Sequence, residues 1–446
     1  MTTQIFVAST PQGTATLAAA LDAHCFDDAD RRILLLCDTS AVPEAAPPAD
    51  SMPGFGLLRA RFDEVLSWND TISPQHPAEW TPRADDVPLW ERHLRHAWNL
   101  GDDEVELALA SPHAAPALAL AQILGGGPVT VYVDDLAGYG PTGSKLPPLI
   151  GTRVQRLLHP DLLPGLRPLL LAEFGVEPVP LPAAALLKVF AELADAAPEF
   201  PFPDGPALLL GERLAESGLL SPAGTSELHL RMVRGTVALG HTRLLLVPHP
   251  HAPVPWSNAL AREASRLGAE LTVLDSGPLG APVLPEVLYQ RIRPALVVGC
   301  SATELLTAAT LYELPVARTG TGALLERLTP YENTHRVPVT ITDALLPELT
   351  DAAAVTLQSP PTKAAVARKL DGLLHAVGFA MQPRVRPDLR PAAERYLSEH
   401  LDGRTWRYFK RRRLASLALP GVVPSRLAFI RRNPALRRLA RRVRGR

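Results

Sequence analysis

The chain has 446 residues, of which 46% are hydrophobic and 20% charged, and this composition excludes a disordered or collagen-like protein. Its length exceeds that of one ordinary domain and predicts two or three. The formal net charge of -1 conceals an uneven distribution, because residues 403–446 hold fifteen of the 45 Lys and Arg and no Asp or Glu. An acidic body, with all 46 acidic residues, therefore precedes a basic C-terminal segment.

The cysteines and the apolar runs exclude several further classes. Cys25, Cys37 and Cys300 are widely spaced and form no Cys-x-x-Cys pair, which indicates neither a disulfide framework nor a zinc site. The first residues lack the features of a signal peptide, and no uninterrupted apolar run approaches ~18 residues. We therefore expect a cytoplasmic protein without a membrane span.

Short apolar runs alternate with helical patterns through the first half of the chain. These runs do not alternate with polar residues, so we expect strands buried on both faces, as in a parallel sheet covered by helices. Strand–helix–strand repetition favours a doubly wound fold. The predicted strands are Gln4–Ser9, Ile33–Cys37, Glu64–Ser67, Val105–Ala110 and Val129–Val133, and the predicted helices are Ala15–Ala23 and Ala114–Leu124.

A second series of the same kind follows the proline-rich segment Ala197–Pro206, which we interpret as an interdomain linker. Its predicted strands are Ala207–Leu210, Arg243–Val247, Glu270–Leu274, Ala295–Val298 and Val337–Ile341, and its predicted helices are Ser226–Leu239, Pro255–Leu267 and Ala352–Ala380. No strand precedes a Gly-x-Gly-x-x-Gly motif, which argues against a dehydrogenase.

Two α/β halves joined by a hinge place a ligand cleft between the carboxyl ends of their strands. We therefore predict an α/β, GT-B-like fold with two Rossmann-like, doubly wound parallel-sheet domains that face a cleft. The predicted boundaries are residues 1–196 for the first domain and 207–385 for the second. Residues 386–446 are expected to form a helical crossover and a basic tail.

Three clusters of polar residues follow predicted strands, and the first is the pair Asp134 and Asp135. Paired carboxylates can have separated pKa values, since like charges disfavour joint ionisation, and one carboxylate can then act as a general base. The alternative interpretation is that the pair only begins a turn or caps a helix.

The second cluster is His249, which lies between Pro248 and Pro250 after a predicted strand. The prolines restrict its backbone, and an imidazole can donate a proton to a phosphate oxygen of a leaving group. A loop histidine without a role is the alternative.

The third cluster comprises Gly299, Ser301, Thr303 and Glu304 at the end of a predicted strand and the start of an apolar helix. Free amides at a helix start, together with hydroxyl side chains, predict a phosphate site. The run from Ser301 to Glu304 is also a capping box, in which Glu304 accepts from the Ser301 amide and no ligand is needed.

The order of these clusters resembles that of bacterial sialyltransferases, and most of all the alpha-2,8-polysialyltransferase family. Segments similar in sequence to this family are TQIFVASTPQGTATLAAALD near the N-terminus, Leu208–Gly211, Leu228–Arg243 and Glu326–Pro347. The resemblance covers roughly residues 3–350 and implies a GT-B fold. It also implies inverting, metal-independent transfer of a nonulosonic acid, such as sialic acid, from a CMP-activated donor to a glycan or glycolipid acceptor.

The resemblance also implies roles for individual residues. Asp134 corresponds to the carboxylate that deprotonates the acceptor hydroxyl, and His249 to the residue that assists departure of CMP. Ser301 and Thr303 resemble the hydroxyls that hold the CMP phosphate. The remaining members of the expected donor-binding set are Gly299 and Pro250. No metal or organic cofactor is expected.

The motifs depart from the family pattern in ways that make the cleft less favourable to a phosphate. Asp135 stands where the family usually has Gly, Val247 replaces a Lys that often precedes the His-Pro pair, and Ala302 separates two hydroxyls that are usually adjacent. Glu304 adds a further acid.

Arg243 and Arg318 are the candidate cations that would compensate. A non-catalytic relative that binds partners in glycan assembly, or another GT-B enzyme such as a nucleotide-sugar epimerase, is the alternative.

The many basic residues between positions 404 and 446 predict that this segment attaches the protein to the anionic inner face of the cytoplasmic membrane. Leu436, Leu439 and Val443 form one apolar stripe between arginines, as on a basic interfacial helix. Pairing of this segment with the acidic body is the alternative, and we expect few of its residues to contribute to a core. No nucleic-acid partner is expected, although polycations also bind phosphate backbones.

Overall fold

The computed structural model describes residues 1–143, 146–198, 205–212, 214–215, 217–248, 257–274 and 283–421. The strands of its first sheet are β1 (Thr2–Ala8), β2 (Arg31–Leu36), β3 (Glu64–Ser67), β4 (Glu104–Leu109), β5 (Val129–Tyr132), β6 (Val154–Pro160) and β7 (Glu177–Leu181). These seven strands are all parallel and lie in the order β3-β2-β1-β4-β5-β6-β7.

The second sheet has five strands, which are again all parallel. They are β8 (Ala207–Leu210), β9 (Arg243–Val247), β10 (Glu270–Val273), β11 (Leu296–Gly299) and β12 (Val316–Arg318). Their order is β10-β9-β8-β11-β12. The two parallel sheets confirm the predicted fold class.

Helices connect the strands of both sheets, and further helices follow the last strand of the second sheet along the chain. Those of the first domain are α1 (Pro11–Asp22), α2 (Phe55–Arg59), α3 (Trp68–Ile72), α4 (Val87–Ala97), α5 (Ala117–Ile123), α6 (Pro148–Gly151) and α7 (Ala183–Ala196). Those that follow are α8 (Pro222–Ala238), α9 (Ser257–Arg266), α10 (Pro285–Ile292), α11 (Thr303–Leu311), α12 (Thr321–Arg327), α13 (Arg336–Leu345), α14 (Ala352–Thr356), α15 (Lys363–Val366), α16 (Gly372–Met381), α17 (Arg390–His400) and α18 (Arg411–Leu417).

The position of β1 in the middle of the first sheet explains why its sequence is apolar without alternation. Ile5 and Val7 belong to the core on one face of the first sheet, whereas Phe6 and Ala8 belong to the core on the other face. Because both faces are covered, consecutive residues of the strand are all removed from water. Burial of a side chain such as Ile5 stabilises the fold by about 1.5–3 kcal/mol.

Two predicted elements of the second half differ from the structure. The predicted strand Val337–Ile341 is wrong, because it lies in α13, which is buried on most of its surface, so its apolar run does not distinguish strand from helix. The predicted helix Ala352–Ala380 is interrupted after Thr356, because Pro360 and Pro361 follow, and the helical structure resumes at Lys363 and continues to Met381.

The chain after the second sheet returns to the first domain. The side-chain amide of Gln382, just beyond α16, donates to the carbonyl of Gly143 at 2.5 Å. The guanidinium of Arg386 donates to the carbonyl of Leu169 at 3.2 Å and also pairs with Asp388 at 2.7 Å. These contacts fasten the C-terminal helices to the first domain and fix the two sheets relative to each other.

Residues 404–421 are packed against the body, which corrects the expectation of a free tail. Tyr408 donates to Asp343 at 2.8 Å, and Arg407 pairs with the same carboxylate at 3.2 Å. Phe409 and Leu414 are buried in the second core. Acidic residues of the body therefore bind residues 404–421, in agreement with the alternative interpretation that the basic segment pairs with the acidic body.

Residues 422–446, which carry nine of the fifteen basic residues of the segment, lie outside the described residues. The predicted stripe of Leu436, Leu439 and Val443 lies there too. Within the described part of the chain, no helix combines the length and the apolar content that crossing a membrane requires.

Candidate active site

The carboxyl ends of the strands in both sheets face one open cleft of about 1350 Å³. Loops that follow β1, β2, β3 and β5 line it from the first domain, and loops that follow β8, β9 and β11 line it from the second. Ligands of open parallel sheets bind at this end of the strands. The cleft is therefore the candidate active site.

Asp134 follows β5 and faces this cleft. Its Oδ2 accepts from the hydroxyl of Thr10 at 3.2 Å, and Thr10 also caps α1 by accepting from the amide of Gly13. Partial burial, and then the charge of Asp135, raise the pKa of Asp134 to about 6. The carboxylate is therefore mostly ionised at neutral pH and close to the pKa that suits a general base.

The two members of the Asp134–Asp135 pair have different surroundings. The Oδ1 of Asp135 accepts from the amide of Ala137 at 2.8 Å and caps the short 3₁₀ helix Leu136–Tyr139. The predicted capping interpretation is thus correct for Asp135, whereas Asp134 is directed to the cleft. Gly13 packs closely against this site, because an added Cβ would be 3.0 Å from the hydroxyl oxygen of Tyr132, 3.1 Å from that of Thr10 and 3.3 Å from Oδ2 of Asp134.

The loop between β11 and α11 lacks the predicted capping box, and two of its amides have a partner within the protein. The amides of Cys300 and Ser301 donate to the Oε1 of Glu212 at 2.7 and 2.8 Å, so these amides are not free for a phosphate. The N-cap of α11 is Ala302, without a side-chain bond. The predicted capping box is therefore wrong, because Glu212 and not Glu304 accepts from the Ser301 amide.

Glu212 is a cleft residue that the sequence analysis missed. It follows β8, which is the neighbour of β11, so its side chain reaches the next loop of the same sheet. Its own amide donates to Nε2 of His229 at 3.0 Å. Burial raises its pKa to about 6, although the amides of Ser301 and Cys300 oppose that shift. An acid directly after an apolar strand, the pattern that identified Asp134, was the available signal.

Ser301 and Thr303 both line the second-domain side of the cleft. The hydroxyl of Thr303 accepts from the amide of Leu136 at 3.2 Å, so it contacts the loop that carries Asp134. Gly299 is not among the described residues that line the cleft. It lies buried at the end of β11, where an added Cβ would be 3.1 Å from Leu305, and its role there is close packing of strand and helix.

Two further acids lie beside Asp134. Glu304 lines the cleft, and burial raises the pKa of its carboxyl. Glu286, near the start of α10, is 1% exposed, and its two carboxyl oxygens have no hydrogen-bond partner among the described residues. Burial, then the charges of Glu304 and Asp134, raise the pKa of Glu286 to about 8, so this carboxyl is mostly protonated at neutral pH.

Neither candidate compensating cation reaches the cleft. Arg243 is the first residue of β9 and lies at the amino end of the sheet, whereas the cleft lies at the carboxyl end. Arg318 is 8% exposed and is paired with Asp343 at 3.0 Å and with Glu348. Both predictions are wrong for these geometric reasons.

The predicted catalytic His249 and its neighbour Pro250 lie outside the described residues. Across the ranges that are described, no group of three or more His, Cys, Asp or Glu is arranged to hold a metal ion.

Two parallel-sheet domains whose strand ends face a common cleft are the GT-B arrangement. A family model for alpha-2,8-polysialyltransferases matches residues 4–320. The chain therefore belongs to the alpha-2,8-polysialyltransferase family, and the protein is a glycosyltransferase. No curated protein matches it at a significant level.

Several solved structures are similar over most of the chain. A glycosyltransferase from Rickettsia africae is 11% identical, covers 88% of this chain and 98% of its own, and has a TM-score of 0.38. Phytolacca americana UGT2, complexed with UDP-2fluoro-glucose and pterostilbene, is 13% identical over 94% and 99%, with a TM-score of 0.39. LpCGTa in complex with UDP is 13% identical over 88% and 99%, with a TM-score of 0.42. These TM-scores are too low to establish a shared fold, which rests instead on the two sheets.

Proposed function

We propose that the protein is an inverting, metal-independent glycosyltransferase that uses a CMP-activated nonulosonic acid such as sialic acid. The acceptor is a hydroxyl of a glycan or glycolipid in surface polysaccharide synthesis. The observation that carries this proposal is the cleft-facing carboxylate of Asp134, which is bonded to Thr10 and has a pKa raised to about 6. Membership of the polysialyltransferase family supports the donor class.

In the proposed reaction, the acceptor O–H bond breaks and its proton passes to the carboxylate of Asp134. The acceptor oxygen forms a bond to the anomeric carbon of the donor, while the bond from that carbon to the CMP phosphate oxygen breaks. The electron pair of that bond leaves with CMP, and His249 donates a proton to the phosphate. The base acts from the first domain and the nucleotide leaves towards the second.

Hydroxyl groups and not backbone amides are proposed to hold the CMP phosphate. Glu212 already accepts from the Cys300 and Ser301 amides, so the side-chain hydroxyls of Ser301 and Thr303 are the described donors at this place. Metal-independent transfer is implied by the resemblance to the family.

The proposed attachment to the cytoplasmic face of an anionic membrane is assigned to residues 422–446. The preceding basic residues are less available, since Arg407 and Arg413 pair with Asp343 and Glu332 in the body. Nine Arg without an acid remain beyond Gly421. At about 1 kcal/mol for each basic residue near an anionic leaflet, this number is sufficient for stable binding.

A second candidate is a non-catalytic relative that binds partners in glycan assembly. The carboxylate of Glu212, which occupies the amides expected to bind a phosphate, favours it. Isothermal titration with CMP, UDP and GDP separates the candidates. We expect CMP to bind with the highest affinity, whereas a preference for UDP would contradict the assigned donor and no nucleotide binding would favour the non-catalytic relative.

A further inference from the structure

The loop that carries Asp134 is contacted from the second domain near both of its ends. The hydroxyl of Thr303, in the first turn of α11, accepts from the amide of Leu136 at 3.2 Å. Gly140 lies against Val337 of α13, because a Cβ added to this glycine would be 3.2 Å from Cγ2 of the valine. The second domain therefore limits the movement of the residues that directly follow Asp134.

Thr303 supplies a hydrogen bond that this loop does not make for itself. The loop forms the 3₁₀ helix Leu136–Tyr139, and its N-cap residue Asp135 accepts from the amide of Ala137. The amides at the start of a helix have no partner within that helix, so the amide of Leu136 needs another acceptor. Leu136 is 0% exposed, and an unpaired buried amide is unfavourable. The bond to Thr303 therefore contributes to the placement of the loop.

The same hydroxyl lies on the side of the cleft where the phosphate is proposed to bind. Thr303 lines the cleft, and its hydroxyl oxygen accepts from Leu136, but no acceptor among the described residues takes its hydrogen. A hydroxyl group accepts and donates at the same time, so this hydrogen is able to bond a phosphate oxygen while the bond to Leu136 persists. Hydrogen bonds that are linked in a chain in this way strengthen one another.

We propose that Thr303 couples the donor site to the base. A phosphate that accepts from the hydroxyl of Thr303 strengthens the bond from this hydroxyl to the Leu136 amide, and it thereby fixes the loop that holds Asp134. Thr303 is thus a positioning residue for Asp134 as well as a phosphate ligand. This inference rests on the proposed function. A bound donor prepares the base before an acceptor hydroxyl arrives, and by linkage the fixed loop strengthens phosphate binding to the same extent.

Hydrogen exchange of the Leu136 amide tests this coupling in the full-length protein. The ligands are CMP and, as a comparison, cytidine, which lacks the phosphate. In the wild type, saturating CMP should slow exchange of this amide, whereas cytidine should not. Thr303→Val keeps the side-chain shape but lacks the hydroxyl, so exchange without ligand should be about 2- to 10-fold faster, and CMP should no longer slow it. Thr303→Ser retains a hydroxyl and should restore both properties.

Two further variants serve as controls. Thr310→Val is the matched one, because Thr310 lies on the same helix and also bonds to the first domain, where its hydroxyl donates to the carbonyl of Leu162 at 3.1 Å. Leu162 follows β6 and not the loop of Asp134, so the Leu136 amide should exchange as in the wild type. Ser301→Ala removes only a proposed phosphate ligand. It should weaken CMP binding, but saturating CMP should still slow the exchange.

The outcomes separate this inference from the proposed function. Equal exchange of the Leu136 amide in the wild type and in Thr303→Val, or slowing by CMP in the Val variant, would overturn the inference alone. If CMP does not bind to the wild type, the proposed donor is wrong and the inference fails with it. If Thr303→Val does not fold, the wild type decides, because slowing of the exchange by both ligands or by neither would overturn the inference.

Discussion

At the scale of single residues, Asp134 is expected to carry the proton transfer. Asp134→Asn keeps an oxygen that can accept from Thr10, but the amide does not take up a proton at neutral pH. We expect the transfer rate to fall at least ~10²-fold. The Kd for CMP should change by less than about threefold, because the base acts on the acceptor and not on the nucleotide. Transfer assays and CMP titration measure the two effects, and an Asn variant with the wild-type rate would exclude Asp134 from the mechanism.

The pH dependence of transfer follows from the same carboxyl group. Because the pKa of Asp134 is raised to about 6, the base is protonated and inactive below that pH and ionised above it. The rate should therefore rise with pH through about 6 and fall again at higher pH, where His249 no longer carries the proton that it donates to the phosphate. Asp135→Asn removes a like charge but keeps the oxygen that caps the 3₁₀ helix Leu136–Tyr139, so it should move the midpoint to lower pH. An unchanged midpoint of the pH profile would contradict the assigned effect of the Asp135 charge on the pKa of Asp134.

Glu286 should make the protein less stable as the pH rises. A carboxyl whose pKa is higher in the folded than in the unfolded state binds more protons when folded, so its stabilising contribution is full below the unfolded pKa and is lost as pH rises through about 8. Glu286→Gln imitates the protonated form and should raise Tm at about pH 9, where the carboxyl of the wild type is mostly ionised, more than at about pH 5. Differential scanning calorimetry at the two pH values measures this, with Asp102→Asn as the control, because Asp102 is an exposed acid that precedes β4. An equal change in Tm at both pH values would show that Glu286 does not titrate as assigned.

At the scale of elements, the loop from β11 to α11 depends on Glu212 from the adjacent strand. Glu212→Ala removes the acceptor of two amides and should lower the free energy of unfolding by about 1–3 kcal/mol. Glu212→Gln retains one acceptor oxygen and should cost less. The Gln variant should also bind CMP more tightly than the wild type, since it removes a negative charge beside the proposed phosphate position. Urea unfolding and CMP titration test these effects, and a fully stable Ala variant would contradict the structural role of Glu212.

Sequence analysis predicted nine of the twelve described strands, because most of them are continuous apolar runs bounded by turns. The run Val337–Ile341 has the same appearance, yet it lies in α13, which is enclosed on most sides, and local pattern does not reveal that enclosure. The strands β6, β7 and β12 were not predicted. In β7, Pro178 and Pro180 interrupt the apolar pattern, and only pairing with β6 at the sheet edge defines it as a strand.

Only part of the candidate site could be predicted from the sequence. Asp134 and Thr303 follow the ends of apolar segments, and such positions face the cleft in a parallel sheet. The bond from the Cys300 amide to Glu212 joins residues that are 88 positions apart, so nothing local signals it. Arg243 and Arg318 were chosen by charge alone, and the sheet geometry and the buried partners of Arg318 decide against them.

At the scale of the whole molecule, the basic C-terminal segment has two parts with different expected behaviour. Removal of residues 422–446 should abolish binding to anionic vesicles and leave Tm nearly unchanged. Removal of residues 404–446 should also lower Tm, because Tyr408, Phe409 and Leu414 are buried and Asp343 would lose Arg407 and the Tyr408 hydroxyl.

Thermal melting and vesicle co-sedimentation at low and high salt measure these effects. Vesicle binding should fall steeply with salt, because the attraction decays over a Debye length of about 8 Å at physiological ionic strength. Equal melting of both truncated proteins would contradict the packed arrangement of residues 404–421. Unchanged vesicle binding after removal of residues 422–446 would contradict the membrane assignment.

The most direct test of the central claim is the release of CMP from CMP-sialic acid with and without a glycan acceptor. We predict that the acceptor accelerates release, that the product gains sialic acid, and that a chelator has no effect. His249→Ala should slow release and weaken CMP binding at least ~10-fold, equivalent to about 1.4 kcal/mol. CMP release that is independent of the acceptor, or transfer from a UDP-sugar in place of CMP-sialic acid, would contradict the account.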